Sequence, residues 1–492
     1  MRISARLFHV KLMLMLPVGI PAMIPDEVGW ATGVVAAPGV TAAVVPDAPA
    51  PERPAEGLVT DEREDDAFAG EILAIQGTLR RATVAWAHGA EPPPGVAGDR
   101  RRALELLHRR YVRLVPLYRE IAERQDAAGP VSADVIVDDL LLLDLFKSYD
   151  PSWLSGLDLW ALTGWLGTIS TRTPEPDLEG VTSLALWRER LRSDGVFLSF
   201  SSGTSGRMAF VPRDHATFRA LCTNGATYTD ESWRRRPDGS LEEFDCLVAG
   251  PRSGGMGLLD AGAGLARTAA RSHFLLDEVL TADAVRGLGA GRPGPWAGED
   301  AAPRAFEFIR RAAADRRKLL VFGPPFLVRW LCERIEGEAG RLPTVPGSLV
   351  VTGGGWKSFR GESLPRSELL RLIQRTLGVA PESCIDAYST SELNCTFRTC
   401  RKGRYHVPPL VEPVVLDEAM TGSLDGGGSG MLAFLDPFAL SYPGFVITGD
   451  HGTLRQGRCE CGYPGPFLEG EIRRADGVEV RGCGGVLASL RV

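Results

Sequence analysis

Apolar and polar positions along this chain change texture several times. From Asp61 to Trp86, and again from Asp99 to Gln125 ("DRRRALELLHRRYVRLVPLYREIAERQ"), apolar residues recur at helical spacing between runs of charge. That spacing predicts two amphipathic helices with solvated Arg-rich faces. Beyond Gly195, short apolar runs end in Gly-containing turns and give way to helical segments: "GVFLSF", "FDCLVAG", "KLLVFGPPFLVRWLCERI", then "GSLVVTGGGW" and "SELLRLIQRTLG". Strands alternating with helices predict parallel sheets covered by helices. From Tyr405 to about Arg474 the helical spacing disappears, and "RYHVPPLVEPVVLD", "GMLAFLDP" and "GFVITGDHGTL" read as strands between Gly and Pro turns. The expected fold class is α/β, with a large body at 61–404 and a smaller β-rich subdomain at 405–476. A leader at 1–60 and a tail at 477–492 flank them, and no internal repeat is visible.

Composition narrows the class. At 492 residues, 44% hydrophobic and 24% charged, the chain has ordinary globular proportions and no apolar run long enough to span a bilayer, so no membrane is expected. A net charge of −7 supplies no basic field for a phosphate backbone, which argues against nucleic acid as a partner. Nine cysteines, an odd number without the spacing of a small secreted framework, read as reduced thiols in the cytoplasm. Arg2, Arg6 and Lys11 precede "LMLMLPVGIPAMI", which resembles a weak signal-peptide core, but its prolines and the missing cleavage site favour a disordered leader or a mis-assigned start. Residues 32–57, rich in Ala, Val, Pro and Gly, are expected to stay largely disordered.

The chemistry begins at "FSSGTSGRMAFVPRD". Directly after the strand "GVFLSF", Ser201, Ser202, Gly203, Thr204, Ser205 and Gly206 form either a polar turn or an anion-wrapping loop, in which glycines let backbone N–H groups converge and hydroxyls add donors. It is not a Walker loop, lacking Gly-Lys-Ser/Thr, and no Gly-x-Ser-x-Gly nucleophile elbow surrounds these serines. Downstream, in order, lie "DAYSTSELN", "YPGFVITGD" and "GEIRRADGVEVRG".

These pieces, together with "LTGWLGTIS", "VVTGGGWKSF" and "RYHVPPLVEPVVLD", resemble the ordered motifs of the adenylate-forming superfamily of acyl-CoA ligases, luciferases and peptide-synthetase adenylation domains. They look closest to the phenylacetate–CoA ligase branch and to bacterial acyl-protein synthetases, from roughly Val115 to the end. The resemblance implies ATP and Mg²⁺ as cofactors, a carboxylic acid as substrate, and activation of that acid as an acyl-adenylate. The acceptor would be a thiol or amine of a partner protein, a carrier protein or CoA. It implies that 201–206 cradle phosphate, that Tyr388 lies beside adenine, that Ser391 contacts phosphate and that Glu392 coordinates Mg²⁺. A helix-capping Ser-x-x-Glu is the bland reading of "STSE". Asp450 matches the ribose-binding acid, a short acceptor suited to a vicinal diol. Arg474 or its neighbour Arg473 matches the ribose-contacting arginine, and Asp476 the hinge. The family's lysine after the phosphate loop is replaced here, with Arg207 or Arg213 as substitutes.

Cys400, His406, Cys459 and Cys461 could close on a tetrahedral Zn²⁺ if their segments are adjacent strands, with Cys395 an alternative ligand; unliganded thiols are the competing reading. Related phenylacetate–CoA ligase-like proteins carry a similar arrangement, which implies a structural zinc. Cys483, flanked by glycines, is either a small buried residue or the acyl-carrying thiol that the resemblance to acyl-protein synthetases implies. Most superfamily members carry a C-terminal lid with a catalytic lysine; only 16 residues follow Asp476 and no lysine follows Lys402, so a truncated lid is expected. Lys357 is then the candidate replacement cation, or a solvated loop residue. Three readings follow: an acyl-adenylating enzyme acting on a thiol or amine, an acyl- or aryl-CoA ligase, or a non-catalytic nucleotide-binding scaffold. For the acid's pocket the small apolar residues around 248–259 and 352–356 are the expected place.

Overall fold

The computed structural model describes residues 59–200, 208–229, 233–254, 257–280, 301–354, 364–417, 420, 422–424 and 426–475. Residues 1–58 of the expected leader, the loop 201–206, Arg207, Lys357, Asp476 and Cys483 lie outside the described residues.

Two long helices open the fold: α1 (Val59–Ala87) and α2 (Val96–Leu114). The helix expected over Asp99–Gln125 is broken in two, because Pro116 cannot continue it and starts α3 (Pro116–Arg124) instead. Val115 is accordingly extended, at φ −109° and ψ 104°, as the steric demand of a following proline requires.

A twelve-stranded sheet dominates the described residues. Its first strand, β1 (Leu142–Leu143), sits outside the main path. The pair β2 (Phe197–Phe200) and β3 (Phe210–Arg213) forms a separate antiparallel hairpin with Phe197 opposite Arg213. The strands β4 (Phe244–Gly254), β5 (Arg271–Leu280), β6 (Lys318–Gly323), β7 (Leu349–Gly353) and β8 (Cys384–Tyr388) follow. They run parallel in the order β5-β4-β6-β7-β8, joined by crossover helices such as Pro325–Glu338 and Arg366–Leu377. Strand β7 is buried at every position, the signature of a parallel strand covered on both faces. Gly323 ends β6 where a Cβ would meet the Ala249 carbonyl oxygen at 2.5 Å, so only glycine lets β6 and β4 close up there.

The β-rich part continues the same sheet antiparallel. It comprises β9 (Phe397–Thr399), β10 (Tyr405–His406), β11 (Glu412–Leu416), β12 (Gly427–Leu435), β13 (Phe445–Arg455) and β14 (Phe467–Arg474). The path runs β8-β9-β10-β14-β13-β12-β11, with β1 added parallel to β13. The direction changes at β8–β9, and ligand crevices in open α/β sheets lie off the carboxyl ends of strands at such reversals.

An aromatic cluster anchors the hairpin to the helices. Phe210 of β3 packs against Tyr149, Trp165 and Trp187 at 5.6, 6.5 and 5.6 Å between ring centroids, and the Tyr149 hydroxyl donates to the Met208 carbonyl at 2.9 Å. Each ring brings a large apolar area to the contact, so the cluster fixes where β3 places its last residue, Arg213. Among the described residues no helix is long and apolar enough to cross a membrane.

Candidate functional site

Strand β8 delivers Tyr388 at its carboxyl end, and the chain then turns through 389–394 into β9. Few of this turn's polar groups are satisfied locally. The Arg213 Nη2 donates to the Ser391 carbonyl at 2.7 Å and to that of Leu393 at 3.4 Å. The Tyr442 hydroxyl donates to the Glu392 carbonyl at 2.9 Å, and the Asn224 amide to that of Asn394 at 2.9 Å. Ser389 Oγ donates to the Cys395 carbonyl at 2.7 Å. Side chains from β3, from the helix His215–Thr229 and from the loop before β13 thus hold four successive carbonyls.

Asn394 joins these supports. Its side-chain oxygen accepts from Arg213 Nε at 2.9 Å, and its Nδ2 donates to Asp436 and to the Tyr442 hydroxyl, each at 3.0 Å. Asp436 also accepts from the Asn394 and Phe438 backbone N–H groups at 2.6 and 2.8 Å. Burial pushes its carboxyl up to about 6, against the opposing pull of these hydrogen bonds and the Arg213 charge. Arg213 is fully buried, with its guanidinium 5.5 Å from the Tyr442 ring. Its Nε and Nη2 are committed to the turn and only Nη1 lacks a hydrogen bond, so Arg213 is a buttress rather than the free phosphate cation considered from sequence.

The Tyr388 hydroxyl donates to Asp450 Oδ2 at 3.1 Å, linking two sequence motifs 62 residues apart. Burial, then the Asp450 charge, raise the Tyr388 phenol well above its ordinary range, so it stays a neutral donor. Asp450 is fully buried in β13, with its backbone N–H on Thr448 Oγ1 at 3.1 Å. Across the β13–β14 ladder Asp450 pairs with Arg474, and His451 with Arg473. Tyr388, Ser391, Glu392 and Asp450 therefore share one end of the sheet, and among them Glu392 is the residue that is only partly buried. On the adjacent strand Thr352 donates to Asp386 at 2.7 Å, tying the end of β7 to β8.

The four expected zinc ligands converge. One ligating atom from each of Cys400, His406, Cys459 and Cys461 lies within 4.8 Å of the others, and Cys461 Sγ is 3.3 Å from His406 Nε2. Tetrahedral zinc with ~2.3 Å bonds to sulfur would set its ligands ~3.8 Å apart, so the donor set fits with small adjustments. Both cysteine segments use the same turn. The Lys402 N–H donates to Cys400 Sγ at 3.4 Å and the Cys461 N–H to Cys459 Sγ at 3.5 Å, with Gly403 and Gly462 at φ 72° and 99°. Positive φ is cheap only for glycine, and it lets the chain fold back so that an amide faces the sulfur. His406 is pushed down to about 4 by burial and by the Arg404 charge, leaving the neutral imidazole that metals bind. Cys395 lies outside this cluster: it is buried in the core, and the substitute-ligand reading is dropped.

Sequence reading missed the supports of the turn and the wall of the cysteine cluster, where Trp86 of α1 stands 6.4 Å from the His406 ring and 5.4 Å from that of Tyr463. One signal for the first was present: Asp436 is the lone charge in "MLAFLDPFALSYPGF".

Residues 296–490 match the family model described as "Acyl-protein synthetase, LuxE". The long-chain-fatty-acid–luciferin-component ligase of Aliivibrio fischeri is 30% identical over 188 residues, 38% of this chain and 50% of that protein. Its counterpart from Vibrio harveyi is 30% identical over 176 residues, 36% of this chain and 46% of that protein. The match thus spans about half the length of these relatives. A solved 2-hydroxyisobutyryl-CoA ligase, in complex with 2-HIB-AMP and CoA in the thioesterification state, shares the fold at a TM-score of 0.50 and 15% identity, over 78% of this chain and 69% of that one. Over 296–490 the chain is therefore similar to acyl-protein synthetases, and its α/β fold is like that of the solved CoA ligase. The family match is narrower than the stretch from Val115 that the motifs suggested: Tyr388, Glu392, Asp450, the cysteine cluster, Lys357 and Cys483 fall inside it, and the loop 201–206 outside.

Proposed function

We propose that this chain, related over 296–490 to acyl-protein synthetases, activates a carboxylic acid with ATP and passes the acyl group to a thiol or amine. The names of its curated relatives make a long-chain fatty acid the first substrate to try. The observation that carries the reading is the Tyr388–Asp450 hydrogen bond, which sets the adenine-side aromatic and the ribose acid of the resemblance against each other beside Ser391 and Glu392.

In the first step a substrate carboxylate oxygen attacks the α-phosphorus of ATP, the bond to the bridging oxygen breaks, and pyrophosphate leaves. In the second the acceptor's thiolate or amine attacks the acyl carbon, the carbon–oxygen bond to phosphate breaks, and AMP leaves. Tyr388 lies against the base, Asp450 accepts from the ribose hydroxyls with Arg474 opposite it in the ladder, and Ser391 donates to phosphate. Glu392 would hold Mg²⁺, which would supply positive charge to offset that on the departing pyrophosphate. The loop 201–206 cradles the triphosphate, Lys357 is the candidate cation at the reacting carboxylate, and Cys483 is the candidate acyl carrier. Cys400, His406, Cys459 and Cys461 would hold a structural zinc, which would staple the β9–β10 turn to the β13–β14 turn; their converging donor atoms support this.

Acid-dependent exchange of labelled pyrophosphate into ATP tests the first step. Exchange with fatty acids supports the reading, and its absence across a broad acid panel sinks it. For the second step, labelled acid should become covalently attached to the protein, and Cys483→Ala should abolish that attachment while exchange persists.

A further inference from the structure

The turn 389–394 is held by buried side chains from other elements together with its own Asn394, and the holding residues follow one pattern. Arg213, Asn394, Asp436 and Tyr442 are all fully buried, in a place where apolar residues of similar volume would cost less desolvation. The two charges are not spent on each other. They meet on opposite sides of the Asn394 amide, which accepts from Arg213 and donates to Asp436. Each charge then holds backbone: Arg213 the carbonyls of Ser391 and Leu393, Asp436 the N–H groups of Asn394 and Phe438. The Tyr442 hydroxyl closes the set, accepting from Asn394 and donating to the Glu392 carbonyl. Arg213, Asp436 and Tyr442 each bond main-chain groups of this turn, with the Asn394 side chain joining them, so the network fixes the turn's position and the direction in which its side chains leave.

We infer that Arg213, Asn394, Asp436 and Tyr442 are positioning residues that set Ser391 and Glu392 for the metal–nucleotide. The inference rests on the proposed roles of Ser391 and Glu392. Arg213 ends β3, whose partner β2 lies on the other side of the 201–207 segment in sequence, so one side chain ties the hairpin to the Ser391 turn.

The test uses the full-length protein and follows acid-dependent pyrophosphate exchange while Mg²⁺, ATP and acid are titrated separately. Tyr442→Phe removes the hydroxyl and keeps the ring against Phe146 (5.3 Å) and Arg213 (5.5 Å), so the fold is retained. The variant loses both hydrogen bonds of the hydroxyl, from Asn394 and to the Glu392 carbonyl, and should raise the Mg²⁺ and ATP half-saturations at least about two- to twelve-fold, the range for one such bond. The acid KM should stay unchanged and the melting temperature close to the parent's. Asp436→Asn should shift the same two constants, and the Asn394→Ala, Asp436→Asn double variant should show less than the product of the single effects. Parent-like Mg²⁺ and ATP constants in Tyr442→Phe overturn the inference, as does an equal loss in every constant together with a lowered melting temperature. A wild-type protein with no exchange instead overturns the reading of Ser391 and Glu392 on which it rests.

Discussion

Tyr388→Phe removes a single oxygen, the one that donates to Asp450 Oδ2 at 3.1 Å. Both side chains are buried, and a hydrogen bond to a carboxylate contributes ~1.5–3 kcal/mol net, more than a neutral pair. The Asp450 backbone stays tethered to Thr448, so what is lost is the direction of the carboxylate rather than the path of β13. Full expression of that loss in nucleotide binding would weaken ATP by roughly 10- to 150-fold, since ~1.4 kcal/mol is tenfold. Part of it is shared with the free enzyme, so a tenfold rise in the ATP KM is the expected outcome, with the acid KM unchanged and melting lowered by a few degrees. Steady-state exchange kinetics with ATP and acid varied independently provide the assay. An ATP KM within twofold of wild type, at a normal melting temperature, would refute the idea that Tyr388 orients Asp450 for ribose.

Further outcomes follow from the same geometry. Purified protein should carry one zinc per chain by elemental analysis, and Cys459→Ser should lose it; chelation should change Trp86 fluorescence, because that ring faces His406 and Tyr463. Asp436 is held in the fold at about 6 against an ordinary value of 3.8, so the folded state binds its proton more tightly. Its stability contribution is therefore present at low pH and lost as pH rises from about 4 to about 6, on the order of 3 kcal/mol in all. Asp436→Asn should flatten that part of the stability–pH curve, measured by denaturant unfolding. Gly462→Ala, which forces a side chain to φ 99°, should weaken zinc binding without disturbing pyrophosphate exchange.

The alternation of apolar runs with helical segments predicted the parallel strands because β6 and β7 are buried on both faces and leave continuous Leu/Val/Phe stretches. The meeting of Tyr388 with Asp450 was foreshadowed by two short motifs next to strand ends, and the roles given to Tyr388, Glu392 and Asp450 belong to the proposed function. Cysteine and histidine spacing pointed to the convergence of Cys400, His406, Cys459 and Cys461, since four soft donors in two short segments can meet once those segments pair. Arg213, Asn394, Asp436 and Tyr442 were not legible as a set: they are scattered over 230 positions, from 213 to 442, and only folding brings their polar atoms together. The long helix expected through Gln125 failed at Pro116, where a local steric rule outweighs helical periodicity.

The most direct measurement is acid-dependent exchange of labelled pyrophosphate into ATP by wild-type protein, beside Asp450→Asn and Glu392→Gln. Exchange by wild type with long-chain fatty acids, lowered at least tenfold in both variants, is the predicted result. Wild-type protein that binds ATP yet exchanges with no acid, or variants that exchange as well as the parent, would contradict the account.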